Sequence, residues 1–480
     1  MSFLGKSIPL GRFSASQLAF ESHRQPESSS LPTPNPTRSF WIDSPNANPL
    51  AAEGSEGRFT NDADICIIGS GITGTSVAYH LSLAVETGDI ARPADQPLRV
   101  RILEARDFCR NGGHLTPAVF VDFCGYKSKY GTAQAIRAFE LENHTASEIV
   151  KVIRSEGWTA AVDLVEGGHT TAFFQDSELE SVKADFEAAK LAGLNLRDVR
   201  WLTKEQMDAN YGTPYPGVEM GGFNLWPLKF VTHLYRLAQG KAGAKFDLNL
   251  HTRTPVTSIT PSASPARRWA VHTPRGVLSC SYVIHATNAY ASHLLPHMSG
   301  AAGIVPTRGQ VIALRASAPL AKCSWDGNEG FEYWFPRPVS GDEAPLVILG
   351  GGREVQPDFE FHEADDSSVS EAVGAVLRRF LPAAFPGKFE QGREPEEEWT
   401  GIMGFTRSKD PFVGPVMDKS SVLGGQYISA GYSGHGMPRA FSCAAVVASM
   451  VASDISGAAW QTPEWFPEAF LTAAGSAQEV

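Results

Sequence analysis

The chain has no apolar stretch of the ~18 to 20 residues that a bilayer span requires. Its nearest approach, Ala444 to Ile455, is short and interrupted by Ser449 and Asp454, so it predicts a buried helix and no membrane span is expected. Dense basic runs are missing too. With 41 Lys+Arg against 52 Asp+Glu the net charge is −11, which disfavours nucleic acid or an anionic lipid surface as partner and leaves small molecules as the better expectation. Cysteine is scarce and scattered. The six residues, at 66, 109, 124, 280, 323 and 443, form no C-x-x-C and no Cys/His cluster, so neither a metal site nor a disulfide framework is expected. That usage suits the reducing cytoplasm, where the protein is expected to reside.

What is present begins with Asp64-Ile65-Cys66-Ile67-Ile68-Gly69-Ser70-Gly71-Ile72-Thr73-Gly74-Thr75. An apolar run passes directly into G-x-G-x-x-G and then into a helical pattern, as in a dinucleotide-binding fold. Gly69 allows the tight turn, Gly71 lets backbone approach a pyrophosphate, and Gly74 lets helix and strand pack closely. Phosphates then face the free N–H groups at the helix N-terminus. Residues 98–103, Leu-Arg-Val-Arg-Ile-Leu, predict the second strand, and Glu104 closes it where an acid can accept hydrogen bonds from ribose hydroxyls. Its spacing from Gly69 exceeds the usual ~20 residues, and the Gly/Asp/Pro-rich stretch from Gly88 to Pro97 accounts for the excess as an inserted loop.

At 480 residues the chain is too long for one core and implies two or three domains. Residues 1–60 are rich in Ser, Pro and Asn and predict an extended N-terminal arm, pinned to the body by Ser39-Phe40-Trp41. A long surface helix is expected over 132–156, and strands over Val162 to Phe174, Val305 to Leu314 and 347–350. Residues 281–287 and 427–431 predict strands that return to the first domain. The chain thus leaves a nucleotide domain for a β-rich one and comes back.

Further segments extend the pattern: Glu104-Ala105-Arg106, Arg110-Asn111-Gly112-Gly113-His114, Ala286-Thr287-Asn288-Ala289, Pro306-Thr307-Arg308-Gly309-Gln310, Tyr333-Trp334-Phe335-Pro336-Arg337 and Gly431-Tyr432-Ser433-Gly434-His435-Gly436-Met437. With these in order, the chain from about 38 to about 460 resembles the D-amino-acid oxidase/glycine oxidase family of flavoproteins, and in motif it is nearest to γ-glutamylputrescine oxidase-like amine oxidases. The resemblance implies an α/β fold, a glutathione-reductase-like FAD-binding Rossmann domain interleaved with an antiparallel β-sheet substrate domain. The expected boundaries are 61–157, 222–300 and 398–480 for the first and 158–221 and 301–397 for the second. It also implies that FAD is held by Gly69, Gly71, Ile72, Thr73 and Gly74, by Glu104, Ala105 and Arg106, and by Asn111, Gly112, Gly113, His114 and Leu115. Val256 would meet the adenine through its backbone, and Thr287, Gly404, Gly431, Ser433, Gly434, His435, Gly436 and Met437 would complete the site.

The glycines of 431–437 leave N–H groups free to face the flavin end that becomes negative on reduction. His435 either adds to that stabilisation or bonds a nearby carbonyl. Tyr333 is a candidate wall for the substrate and Arg337 a candidate partner for a carboxylate, and both are equally readable as domain-packing groups. Two departures from the family pattern stand out. Met403, in Trp399-Thr400-Gly401-Ile402-Met403-Gly404, occupies the position where glycine oxidases carry a carboxylate-binding arginine and sarcosine oxidases a flavin-linking cysteine. Methionine can do neither, so non-covalent FAD and an amine substrate are expected, with oxygen or another acceptor taking the electrons. The second departure is at Cys109-Arg110-Asn111, where relatives carry a few small residues of the Ser-Gly-Ala-Thr-Gly kind before Arg-Asn-Gly-Gly. About five residues are missing, at ~3.3 to 3.6 Å of reach each, so either the path is rearranged or flavin binding is impaired. A flavin-fold protein without catalysis is therefore the rival expectation. An NAD-dependent dehydrogenase would continue directly into further α/β repeats, and flavin hydroxylases carry a Gly-Asp pair on a late strand, whereas Gly88-Asp89 and Gly341-Asp342 fall in loops.

Overall fold

A computed structural model describes residues 8–22, 28–110, 112–418 and 421–472. Asn111, one of the expected cofactor residues, lies outside them. The first sheet has six strands in the order Phe412–Asp418, Ser421–Ala430, Tyr282–His285, Ile65–Ile68, Leu98–Leu103, Phe246–His251, all neighbours parallel except the first pair. Ile65–Ile68 is buried throughout because both faces of this sheet are covered. Ile65 and Ile67 enter the core made with helices Ile72–Thr87, Pro227–Lys241 and Met437–Ser456. Cys66 and Ile68 point the other way, against the three-stranded meander formed by 258–261, 269–273 and 276–280. The apolar helix is longer than expected from Ala444 to Ile455: among the described residues Met437–Ser456 is the one helix long and apolar enough to cross a membrane, and 67% of its 18 most apolar consecutive residues are buried inside the protein.

The second sheet has eight strands in the order Glu397–Phe405, Val305–Arg315, Leu346–Gly351, Glu332–Pro336, Ser324–Gly327, His169–Ala172, Gly217–Met220, Arg200–Leu202. Its neighbours are antiparallel except Ser324–Gly327 with His169–Ala172. Strand period places Leu314, Trp325, Trp334 and Leu349 on one face, buried under helix Glu371–Ala384. The opposite face, read from the cross-strand register, carries Met403, Gly309, Tyr333, Phe335, Asp326, Thr171 and His169. This face turns toward the nucleotide domain.

Several expectations are corrected. Glu397–Phe405 pairs with Val305–Arg315, so the chain returns to the first domain only after Phe405 and not at 398. The strand expected over Val162 to Phe174 is confined to His169–Ala172, because Gly167 presses on the Lys322 carbonyl and Gly168 turns the chain at φ +77°. The helix expected over 132–156 is present up to Ser155, and what the sequence did not announce is a second helical segment from Phe123 that meets it at a kink at Gly131, whose φ is +77°. The arm is not wholly extended. Helix Phe13–Ser22 puts Phe13 and Phe20 two turns apart on one face, and Phe20 meets Phe361 edge-on at 5.1 Å. Beyond it, Ser39 caps the short helix Phe40–Asp43, and Trp41 is buried against Phe335 and Trp226.

Candidate active site

The three glycines of the first turn are required for different reasons. Gly69 has φ +107°, and a β-carbon there would lie 2.5 Å from the Ala286 carbonyl oxygen. One at Gly74 would collide with the Gly69 carbonyl. At Gly71 a β-carbon would meet nothing within 4 Å, so that glycine faces open space. Gly71 is also the N-cap of Ile72–Thr87, and no side chain caps the helix. Its first N–H groups therefore remain available to an anion.

Glu104 holds this turn in place. Its Oε2 accepts from Ser70 N at 3.0 Å and Ser70 Oγ at 2.8 Å, and its Oε1 accepts from Arg106 N at 3.0 Å. A carboxylate has about four acceptor sites, so capacity remains for ribose hydroxyls. The shortened loop takes a rearranged path. Phe108 and Cys109 are buried, Cys109 sits at φ +54°, and its N–H donates to Ser70 Oγ at 3.0 Å. Arg110 donates to the Thr37 and Thr400 carbonyls, and Arg106 pairs with buried Asp366 at 2.9 Å. Ala105 is half-buried, Gly112 is exposed, and Gly113 packs on the Leu225 carbonyl.

The structure brings the last glycine loop to the same place. Gly431 N donates to Asn288 Oδ1 at 3.0 Å, Ser433 N donates to the Gly404 carbonyl at 2.7 Å, and Thr406 N donates to Ser433 Oγ at 3.1 Å. Gly431, Ser433 and Gly434 all have positive φ, 84°, 53° and 82°. Thr287 Oγ1, beside this loop, is buried without a partner. Met403 spans the junction, since a β-carbon at Gly434 would lie 3.5 Å from its sulfur and one at Gly309 2.8 Å from its Cε. Gly436 and Met437 open helix Met437–Ser456. Ile72, Leu115, Val256 and Met437 place their side chains in the core, so any cofactor contact from them comes from backbone, while Thr73 Oγ1 donates to the Tyr432 hydroxyl at 3.4 Å.

His435 bonds neither a carbonyl nor solvent alone. Its Nε2 lies 3.0 Å from Glu142 Oε2, and Glu142 Oε1 accepts from Arg439 Nε at 2.7 Å while the Ala118 N–H donates to Oε2 at 2.7 Å. Burial opposes charge on Glu142, but His435 and Arg439 outweigh it and hold the carboxyl down at about 2. Sequence reasoning missed both partners. Arg439, a cation in the first turn of an otherwise apolar helix, was the available signal.

His114 lies between the domains, stacked on Tyr333 at 5.8 Å and 10° and on Phe335 at 5.8 Å and 14°. Its Nε2 is buried without a partner, and burial, helped by the neighbouring His169, pushes its pKa down to about 3. Burial likewise pushes the Tyr333 hydroxyl up to about 12. Both groups are thus uncharged at neutral pH. Arg337 is engaged as a packing group. Its guanidinium pairs with Asp163 at 2.6 Å and lies 5.1 Å from the rings of both Trp41 and Trp226, so it fastens the arm to the body.

The uncapped helix end, the open face of Gly71 and the unpartnered Thr287 Oγ1 and His114 Nε2 fit a dinucleotide cofactor running from the first turn to the last glycine loop. Among the described residues no group of side chains could hold a metal ion.

Comparison with known proteins agrees with this geometry. The profile of the family described as FAD dependent oxidoreductase (DAO) matches residues 64–450. The chain is 25% identical over 409 residues to a γ-glutamylputrescine oxidoreductase of Escherichia coli (strain K12), covering 82% of this chain and 84% of that one. It is 24% identical over 449 residues to the tRNA 5-methylaminomethyl-2-thiouridine biosynthesis bifunctional protein MnmC of Cupriavidus metallidurans, covering 86% of this chain and 58% of that one. Among solved structures, L-proline dehydrogenase from P. horikoshii superposes with a TM-score of 0.62 at 17% identity, covering 88% of this chain and all of that one. Glycine oxidase from Geobacillus kaustophilus gives 0.60 at 17%, covering 84% and 97%. The shared fold is what these last two establish.

Proposed function

Because the chain belongs to the family of FAD-dependent oxidoreductases, whose members matched here are enzymes, we propose that it oxidises the C–N bond of a small amine to an imine that water hydrolyses, with oxygen as acceptor and FAD bound non-covalently. The two glycine loops would hold FAD between them, and FAD when bound would supply the hydride acceptor. The protein's own residues bind and orient. Gly71 and the N-terminus of Ile72–Thr87 would take the pyrophosphate, and Glu104 the ribose. His435, fixed by Glu142, would offer a proton donor at the last loop.

One observation carries the substrate reading. The two arginines that the motifs offer for a carboxylate are already engaged, Arg308 with Glu360 at 2.6 Å and Arg337 with Asp163, and so are Arg439 with Glu142 and Arg106 with Asp366. Met403 stands where a cation would be needed, so an α-carboxylate would be buried without compensation, at a cost of several kcal/mol. His114 and Tyr333, both neutral, suit an uncharged amine. The test is turnover of matched pairs, an amine against its α-amino acid, with peroxide as readout. Amines should react faster, and Met403→Arg should shift preference toward acids. Faster turnover of glycine or a D-amino acid by the wild type would refute the reading. The absence of a cysteine between Cys323 and Cys443 supports non-covalent FAD, which acid precipitation should release into the supernatant; colour retained in the pellet would implicate His114 as a linkage point.

A second reading, a flavin fold without catalysis, draws on the shortened loop that lies on the Ser70 turn. A visible spectrum of the purified protein without a flavin band would favour it.

A further inference from the structure

On the face of the eight-stranded sheet that turns toward the nucleotide domain, one carboxylate stands out. Asp326 lies directly opposite Tyr333 on one neighbouring strand and Thr171 on the other. Its side chain is 31% exposed, and its Oδ1, itself buried, lies 3.3 Å from His169 Nε2. His169 is turned by its other nitrogen, Nδ1, which bonds Ser324 Oγ at 3.0 Å. No lysine or arginine pairs with Asp326 among the described residues. The groups that face it from adjoining elements are His169, His114, Tyr333, Thr171 and Glu178. Burial pushes Glu178 up to about 8, with Asp326 adding to the effect, so Glu178 is neutral at pH 7. Asp326 is held below the ordinary carboxylate range: burial works against its charge and His169 overcomes it. Around Asp326 the structure thus sets two neutral rings, His114 and Tyr333, a neutral Glu178, and one anion lacking a strong cationic partner.

We propose that Asp326 anchors a second, charged amino group of the substrate, so that the enzyme's preferred substrates are diamines or longer polyamines rather than simple monoamines. This rests on the amine-oxidation reading above. A nitrogen whose neighbouring carbon gives up a hydride must keep its lone pair and is bound neutral. An ammonium drawn to Asp326 is therefore a different nitrogen on the same molecule. The exposed part of the Asp326 carboxylate offers it a charge-assisted hydrogen bond in a partly desolvated place.

The experiment measures dissociation constants by calorimetry on the full chain saturated with FAD, for 1,4-diaminobutane against 1-aminobutane and 1,8-diaminooctane against 1-aminooctane. At one length or both, the diamine should bind at least about tenfold tighter than its monoamine. Asp326→Asn should collapse that ratio toward one, and Asp326→Glu should restore part of it. Melting temperatures of the variants show whether the fold is kept. Equal affinity for diamine and monoamine at both lengths in the wild type overturns the proposal, as does a ratio that survives Asp326→Asn. Failure to oxidise either amine refutes the amine-oxidation reading by itself, and the binding ratio still decides the role of Asp326.

Discussion

Replacing Glu142 by glutamine isolates the network behind His435. The carboxylate is 1% exposed and accepts from Arg439, Ala118 N and His435. Its pKa falls from the ordinary 4.5 to about 2 on folding, which is worth about 3 kcal/mol at about 1.4 kcal/mol per pH unit. Because the folded value is the lower one, this stabilisation is present in full above pH 4.5 and is lost as pH falls toward 2. Glu142→Gln removes the charge and leaves Arg439, itself 5% exposed, with the Asp410 carboxylate at 3.8 Å, the Lys409 carbonyl and the Tyr126 hydroxyl. Urea unfolding followed by tryptophan fluorescence should place the variant about 3 kcal/mol below wild type at pH 7. At pH 3 the wild type has already lost about 2 kcal/mol of this contribution, so the gap should shrink to about 1 kcal/mol. Parallel curves at the two pH values, or a gap below about 0.5 kcal/mol at pH 7, would refute the network as the source of the stabilisation.

Other outcomes follow from the same geometry. Gly71→Val fills the open face of the first turn and should abolish FAD binding, read as the ratio of absorbance near 450 nm to 280 nm on the order of zero, while Glu104→Ala should weaken binding by only about 1.5 to 3 kcal/mol; equal flavin content in wild type and Gly71→Val would place the cofactor elsewhere. Trp41→Ala should destabilise the protein by about 3 to 5 kcal/mol through the cavity it leaves among Phe335, Trp226 and Arg337, measured as a lowered unfolding midpoint.

The glycine turn, the second strand and the returning strands were legible because a continuous apolar run ending in glycine has few other uses. Leu98–Leu103 was readable to the residue for that reason. The His435 end was half legible. Its loop announced itself through three glycines in seven residues, but Glu142 lay 293 positions away on a helix whose charged residues resemble a solvated face. Asp326 gave no local sign, since its meaning comes from the strands that register places beside it. Arg337 misled in the opposite direction: a cation after an aromatic strand reads equally as an anion site or as a clamp, and only Asp163 and the arm decide between them. Phe13 and Phe20 were overlooked because a Ser-rich stretch masks a two-residue aromatic stripe.

The arm has a consequence for biosynthesis. Thr37 and Thr400 bond each other across 363 positions, and Arg337 and Asp366, the other fastenings of the arm, are also made late. At about 5 to 20 residues per second, Thr37 waits about 20 to 70 s for Thr400 to be synthesised. For most of that interval, until Trp226, Phe335 and Arg337 have been made, Phe40 and Trp41 have no complete aromatic box to enter. The first aromatic pair of the clamp is thus made long before the residues that shelter it, and its burial waits on synthesis of the second sheet.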